Sequence, residues 1–112
     1  MKAIDIYKTG LIMSGLDGNE EFIVCETNGA DQLFFINKVL LDLRIPTIGS
    51  IEDELDVNMY TVDAISSGIA YYLSLRASDR DRTAFLCDLY NAKRASAMSS
   101  IARIKFGCFF KN

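Results

Sequence analysis

The chain has 112 residues, of which 12 are basic and 15 acidic, with a formal net charge of −3, and half of its residues are hydrophobic. This size accommodates one hydrophobic core, so we expect a single domain over residues 1–112. Histidine is absent, which excludes imidazole metal sites and histidine-activated nucleophiles. No glycine-rich phosphate loop or hydrolase motif occurs, and we expect neither enzymatic activity nor a cofactor or metal.

The three cysteines and the hydropathy pattern predict a cellular setting. Cys25, Cys87 and Cys108 form neither a CxxC pair nor an even set, and no signal peptide precedes them. This favours reduced thiols in the cytosol. No apolar run approaches the ~20 residues that a membrane span requires, so we expect a soluble protein without membrane contact.

Charge is distributed unevenly along the chain. Residues 1–63 carry 12 acidic and 4 basic side chains, whereas residues 64–112 carry 3 acidic and 8 basic ones. A protomer with one acidic and one basic part can attract a second copy head to tail. Successive contacts of this kind close into a ring when the rotation from one subunit to the next permits. Unequal solvated faces on a monomer explain the same pattern equally well.

The first two segments predict a helix and an extended stretch. Ile4, Tyr7 and Leu11 share one helical face and the pattern stops near Gly15, so we expect a helix over residues 2–14. Turn signals flank the apolar run at 22–25, which favours a short strand or hairpin near residues 20–27. Four consecutive apolar residues are also typical of a helix entry.

A second helix is expected over residues 29–44, with Asn28 as its cap and Pro46 ending it. One apolar stripe of this helix comprises Leu33, Ile36, Leu40 and Leu43. Further apolar residues beside that stripe, which predict contact with two internal neighbours or with another subunit, are Phe34, Phe35, Val39 and Leu41. Residues 46–60 predict a long connection with one turn at 50–55, in which Ser50 and Asp53 act as caps.

The longest periodic stretch, residues 61–106, predicts a helical hairpin. Helical spacing runs over residues 61–77 and 79–104, and Ser78 with Asp81 forms a capping-box pattern at the break. The overall expectation is a mainly α fold, a small bundle of about four helices closed by this antiparallel hairpin. Its expected core residues are Ile65, Ile69, Leu73, Leu86, Leu89 and Ile101, with Phe85 and Tyr90 on the same stripe and Gly68 at a close backbone contact.

The end of the chain and its charged groups supply candidate interface residues. Gly107 is expected to end the last helix, leaving 107–112 either to complete the core or to dock on a partner. The acidic run near residue 53 matches no calcium loop, and the basic residues of the hairpin alternate with aspartates, which disfavours a helix-turn-helix DNA binder. The candidate interface residues are Glu52, Asp53, Glu54, Lys93, Arg94, Arg103, Phe109 and Phe110.

Two stretches resemble the head-tail connector proteins of tailed bacteriophages, which are small helical adaptors between portal and tail. One is F-I-N-K-V-L-L-D-L at 35–43, which is similar to the second helix of that family. The other begins with G-I-A-Y-Y-L at 68–73 and, after the break at 78–79, continues with L-Y-N-A-K-R-A at 89–95. This second stretch is similar to the two closing helices of the family. The resemblance covers a little over half of the chain.

The resemblance implies a structural virion protein, assembled in the host cytoplasm, whose copies form a ring that is dodecameric if it follows the family. Such a ring would sit on the portal protein, meet a tail or stopper protein, and continue a channel through which DNA passes without sequence-specific binding. An acidic chain suits weak contact with phosphates. The residues alone also permit a small cytosolic regulator or immunity-type protein that binds one protein partner through its acidic loop.

Overall fold

A computed structural model of the chain contains four helices and no strand within the residues that it describes, so the expected mainly α fold is confirmed. It describes the backbone of residues 1–15, 29–76 and 79–110, and the side chains of these residues apart from 29–30 and 101–110. The helices are α1 (Ala3–Ser14), α2 (Gly29–Asp42), α3 (Met59–Ser74) and α4 (Arg80–Phe110). The predicted strand at 20–27 and the Asn28 cap lie outside the described residues.

Helix α3 is the central element and packs against each of the other three helices. Its buried residues occur on every side of the helix, as expected for a core element: Thr61, Ala64, Ile65, Ser66, Ser67, Gly68, Ile69, Ala70, Leu73 and Ser74. Helix α4 runs antiparallel to it. The Asn58 amide donates to Ser100 Oγ at one end, and Thr83 Oγ1 donates to the Ser74 carbonyl at the other, at 3.1 and 3.2 Å. The predicted helical hairpin is therefore correct.

Two glycines allow the helices to approach α3 closely. A Cβ atom at Gly10 would lie 2.7 Å from Ile69 Cγ2, so the crossing of α1 and α3 requires glycine there. A Cβ atom at Gly68 would lie 2.7 Å from Tyr90 Cε1 and 2.9 Å from Val39 Cγ1. The close contact predicted at Gly68 is present, and it joins α3 to both α2 and α4.

The connection between α2 and α3 is held by hydrogen bonds at two points, Ile48 and Asp53. The Asn37 side chain donates to the Ile48 carbonyl at 3.0 Å and accepts from the Ile48 amide at 2.9 Å. The Ala3 amide donates to the Asp53 carbonyl at 2.9 Å, so the loop backbone caps α1 where no side chain does. The Asp53 carboxylate accepts from the backbone amides of Gly49 and Ser50, which confirms the predicted turn at 50–55.

Several helix boundaries differ from prediction, and local capping decides three of them. Helix α1 begins one residue later than predicted, and helix α3 ends at Ser74, three residues before its predicted end. Helix α2 ends two residues earlier, in a Schellman motif in which Arg44 has a φ of 59° and the Ile45 amide donates to the Leu40 carbonyl. Helix α3 begins two residues earlier, because Asn58 Oδ1 accepts from the Thr61 amide at 2.9 Å. At the start of α4, Asp79 Oδ1 accepts from the Arg82 amide at 3.0 Å, so Asp79 takes the cap role expected of Ser78. Ser78 lies outside the described residues.

The last helix is longer than predicted. Its backbone continues through Gly107 to Phe110 instead of ending near residue 104. One glycine inside a helix costs about 1 kcal/mol relative to alanine, which is too little to end a helix by itself.

Several core predictions need correction. In α1 it is Ile6, not Ile4, that is fully buried beside Tyr7. In α4, Leu89 is only half-buried, and Phe85 is 65% exposed. The extra apolar residues of α2 divide into two groups, because Phe35 and Val39 are buried whereas Phe34 and Leu41 are 61% and 66% exposed. The core residues predicted correctly within the described side chains include Ile36, Leu40, Leu43, Ile65, Ile69, Leu73, Leu86 and Tyr90.

Candidate functional site

The acidic loop residues proposed as an interface have partners within the protomer. Glu54 lies 2.9 Å from the Met1 ammonium group, whose hydrogen bond and charge lower the pKa of that carboxyl. Glu52 lies 3.4 Å from Lys2 Nζ, and the Asp53 carboxylate accepts a hydrogen bond from the Gly49 amide within the turn at 50–55. The two ion pairs are exposed and contribute little stability, but together these contacts tie the loop to the start of α1.

The predicted basic interface residues lie elsewhere, on α4. Lys93 Nζ is 4.0 Å from Asp63 Oδ2, a contact between α4 and α3. The Arg94 guanidinium lies 5.4 Å from the centre of the Tyr90 ring and donates to Asn91 Oδ1 at 3.2 Å. Their contacts are thus inside the protomer. The side chains of Arg103, Phe109 and Phe110 lie outside the described residues, although their backbone belongs to α4.

A polar cluster joins α2, α3 and α4. Asp42 Oδ2, at the end of α2, accepts hydrogen bonds from Tyr72 Oη of α3 and Tyr90 Oη of α4, at 2.5 and 2.9 Å. The Tyr71 ring stacks on Tyr90 with 6.1 Å between ring centres. We call these four residues, Asp42, Tyr71, Tyr72 and Tyr90, the tyrosine clamp.

Burial sets the electrostatic character of the clamp. Tyr90 is 3% exposed. Desolvation is the larger cause that raises the pKa of its phenol, and the hydrogen bond to the Asp42 carboxylate is the next. The same two causes raise the pKa of Tyr72. Both phenols therefore stay protonated at neutral pH and act as hydrogen-bond donors, not as nucleophiles or bases. The clamp is suited to holding helices together.

The position of Asp42 is a signal that sequence reasoning missed. A carboxylate in the last turn of a helix faces the negative end of the helix dipole, which is unfavourable. An acid at that position therefore needs hydrogen-bond donors from elsewhere, and the adjacent tyrosines 71 and 72 and the motif tyrosine 90 could have been considered for that role. The spacing of apolar residues does not contain this information.

Residues of two of the stretches described above, 35–43 and 68–95, meet around the clamp. From the first stretch, Asn37 holds the connecting loop and Asp42 accepts the two phenols. From the second, Gly68 makes room for Tyr90, and Arg94 covers the Tyr90 ring. Sequence reasoning named these stretches but not the contacts among them.

Within the described residues, no group of three or more potential metal ligands lies close together, and no helix is long and apolar enough to cross a membrane. Comparison with known proteins yields no match to a family model, to a curated protein or to a solved structure.

Proposed function

We propose that the protein is a structural head-tail connector of a tailed bacteriophage, whose copies form a ring between portal and tail and continue the DNA channel. The observation that carries the proposal is the convergence of the two connector-like stretches on one clamp. Asn37, Asp42, Gly68 and Tyr90 make contacts that fix how α2, α3 and α4 pack. These motif residues hold the helices in one arrangement. That role is expected in a structural subunit, which must keep its shape while its neighbours bind it.

The outer surface supports the same proposal. Large apolar side chains are exposed on α2 and on α4, and others are exposed at the start of α3. A subunit inside an assembly is covered by two neighbouring copies and by proteins above and below, so it needs several apolar contact regions. By contrast, the acidic loop has internal partners at Glu52, Asp53 and Glu54, which weakens the alternative of a regulator that binds through that loop.

The proposed connector would be a virion component without enzymatic activity. Its partners would be further copies of itself, the portal protein and a tail or stopper protein, with a dodecameric ring if it follows the family. DNA would pass through the ring without sequence-specific binding, because an acidic chain has weak affinity for phosphates.

The proposal is tested by removing the protein from the phage that encodes it. The gene should lie among genes for portal, capsid and tail proteins, and an early stop codon should leave separate heads and tails visible by electron microscopy. Synonymous changes at the same codons are the matched control, and expression of the protein in trans should restore joined particles. Intact, infectious particles formed without the protein would refute the proposal.

A further inference from the structure

An exposed apolar groove lies on the outer face of α2. Leu33, Phe34, Asn37, Lys38 and Leu41 line it, and its volume is about 410 Å³. Its floor is held in place because the Asn37 side chain is bonded to the backbone of the connecting loop. Phe34 and Leu41 lie opposite the α2 residues that pack on the core, so this part of the groove faces outward. At its rim, Lys38 Nζ lies 5.1 Å from the centre of the Tyr72 ring of α3.

An exposed apolar side chain that could fill such a groove lies on a different surface of the protein. Phe85 of α4 is 65% exposed, although its position in the sequence predicted burial. It lies away from the buried α4 residues Leu86 and Tyr90, so it too faces outward. When an apolar side chain and a complementary apolar pocket occupy different surfaces of one protein, the contact that they permit between copies is head to tail.

Local charges favour the same pairing. Asp81 and Asp88 flank Phe85 at four residues before and three residues after it, on the same exposed side of α4. The groove on α2 carries an exposed cation, Lys38. An aromatic side chain between two carboxylates thus complements an apolar groove that has an ammonium group at its rim.

We propose that Phe85 of one copy inserts into the α2 groove of a second copy, with Asp88 paired to Lys38 across the contact. This inference deepens the proposed connector function and rests on it for the closure of successive contacts into a ring. One aromatic side chain buries on the order of 150 to 250 Å², so each contact is weak alone. A closed ring holds every copy at two such contacts, which strengthens the assembly.

Two variants should each abolish the contact from one side. Phe85→Ser removes the inserting side chain, and Leu41→Asp places a charge in the groove. Sedimentation velocity from micromolar to millimolar concentrations should show that the wild type associates. For each variant the association constant should be at least about 30-fold lower, which is the effect expected when a hot-spot residue of an interface is replaced. Ile12→Ser is the matched control, because Ile12 of α1 is 64% exposed, nearly as much as Phe85, and belongs to neither surface.

A mixing experiment distinguishes this contact from other modes of association. The Phe85→Ser protein retains an intact groove and the Leu41→Asp protein retains an intact Phe85, so an equimolar mixture should form 1:1 complexes and nothing larger. Lys38→Asp and Asp88→Lys should likewise each weaken association, and their combination in one chain should restore it. Circular dichroism of every variant verifies that the helices are unchanged.

A mixture that forms no complex, variants that associate like the wild type, or a wild type that is monomeric at all concentrations would each overturn the contact. These results are separable from the test in phage. A monomeric protein that is still required to join heads to tails would refute the Phe85 contact and leave the connector function intact. Association through Phe85 in a protein that phage particles do not need would refute only the connector function.

Discussion

Replacement of Asp42 by alanine should destabilise the fold more than loss of any exposed carboxylate. The substitution removes the acceptor of two phenols, of which Tyr90 is buried and Tyr72 half-buried. A buried hydroxyl without a partner costs about 1 to 3 kcal/mol, and a hydrogen bond to a charged group contributes about 1.5 to 3 kcal/mol. Two effects reduce this cost. The half-buried Tyr72 hydroxyl can form a hydrogen bond to water instead, and removal of the carboxylate removes its unfavourable interaction with the helix dipole, which is worth about 0.3 to 1 kcal/mol.

The expected loss is therefore about 2 to 4 kcal/mol in the free energy of unfolding, a large share of the ~5 to 15 kcal/mol typical of a domain. Urea denaturation followed by circular dichroism measures it. Asp56→Ala is the matched control, because Asp56 is exposed, and its effect should lie within about 0.5 kcal/mol of zero.

A double-mutant cycle tests the reasoning directly. In a chain that already carries Tyr72→Phe and Tyr90→Phe, no phenol remains to lose its acceptor, so Asp42→Ala should cost close to nothing. The difference between the two backgrounds gives the coupling energy, expected to be roughly 2 to 3 kcal/mol. If Asp42→Ala costs the same in both backgrounds, its effect does not pass through the phenols and the clamp has no energetic role.

Four further changes have defined outcomes, all measured by chemical denaturation unless stated. Arg44→Gly should stabilise the fold by about 0.5 to 1 kcal/mol because glycine adopts the positive φ found there without strain, whereas Arg44→Ala should give no gain. Gly68→Ala should destabilise by about 1 to 3 kcal/mol through overpacking against Tyr90, and an unchanged protein would refute the close contact. Ser66→Ala should be neutral or stabilising by up to about 1 kcal/mol, because the buried Ser66 hydroxyl has no hydrogen-bond partner among the described residues; a clear loss would reveal one. The raised pKa values of Tyr72 and Tyr90 predict that the stability contributed by these two phenols is complete below about pH 10, where unfolded tyrosine is protonated, and is lost as the pH rises further; Tyr72→Phe should make this decline shallower.

The helical architecture could be predicted from the sequence because it depends on local periodicity. Apolar spacing located the four helices of the described residues and the antiparallel hairpin, and the pairing of Ser50 with Asp53 located the turn in the connection. Helix ends were less accurate, because they depend on single capping groups such as Asn58 and on the backbone of Arg44. The sequence contains many other polar residues of the same types, so the pattern alone does not show which of them caps a helix.

The sequence by itself determined the mainly α class and most of the residues that face the core, because a helix must bury one apolar stripe. Only the tertiary structure decided which apolar residues remain outside. Phe85 and Phe35 both belong to apolar helical stretches, yet the former is exposed and the latter buried, because the central helix α3 covers one side of each neighbour and leaves the other side open. The tyrosine clamp likewise depends on three helices that meet in space, and residues 42, 72 and 90 are too far apart in the chain for any local pattern to join them.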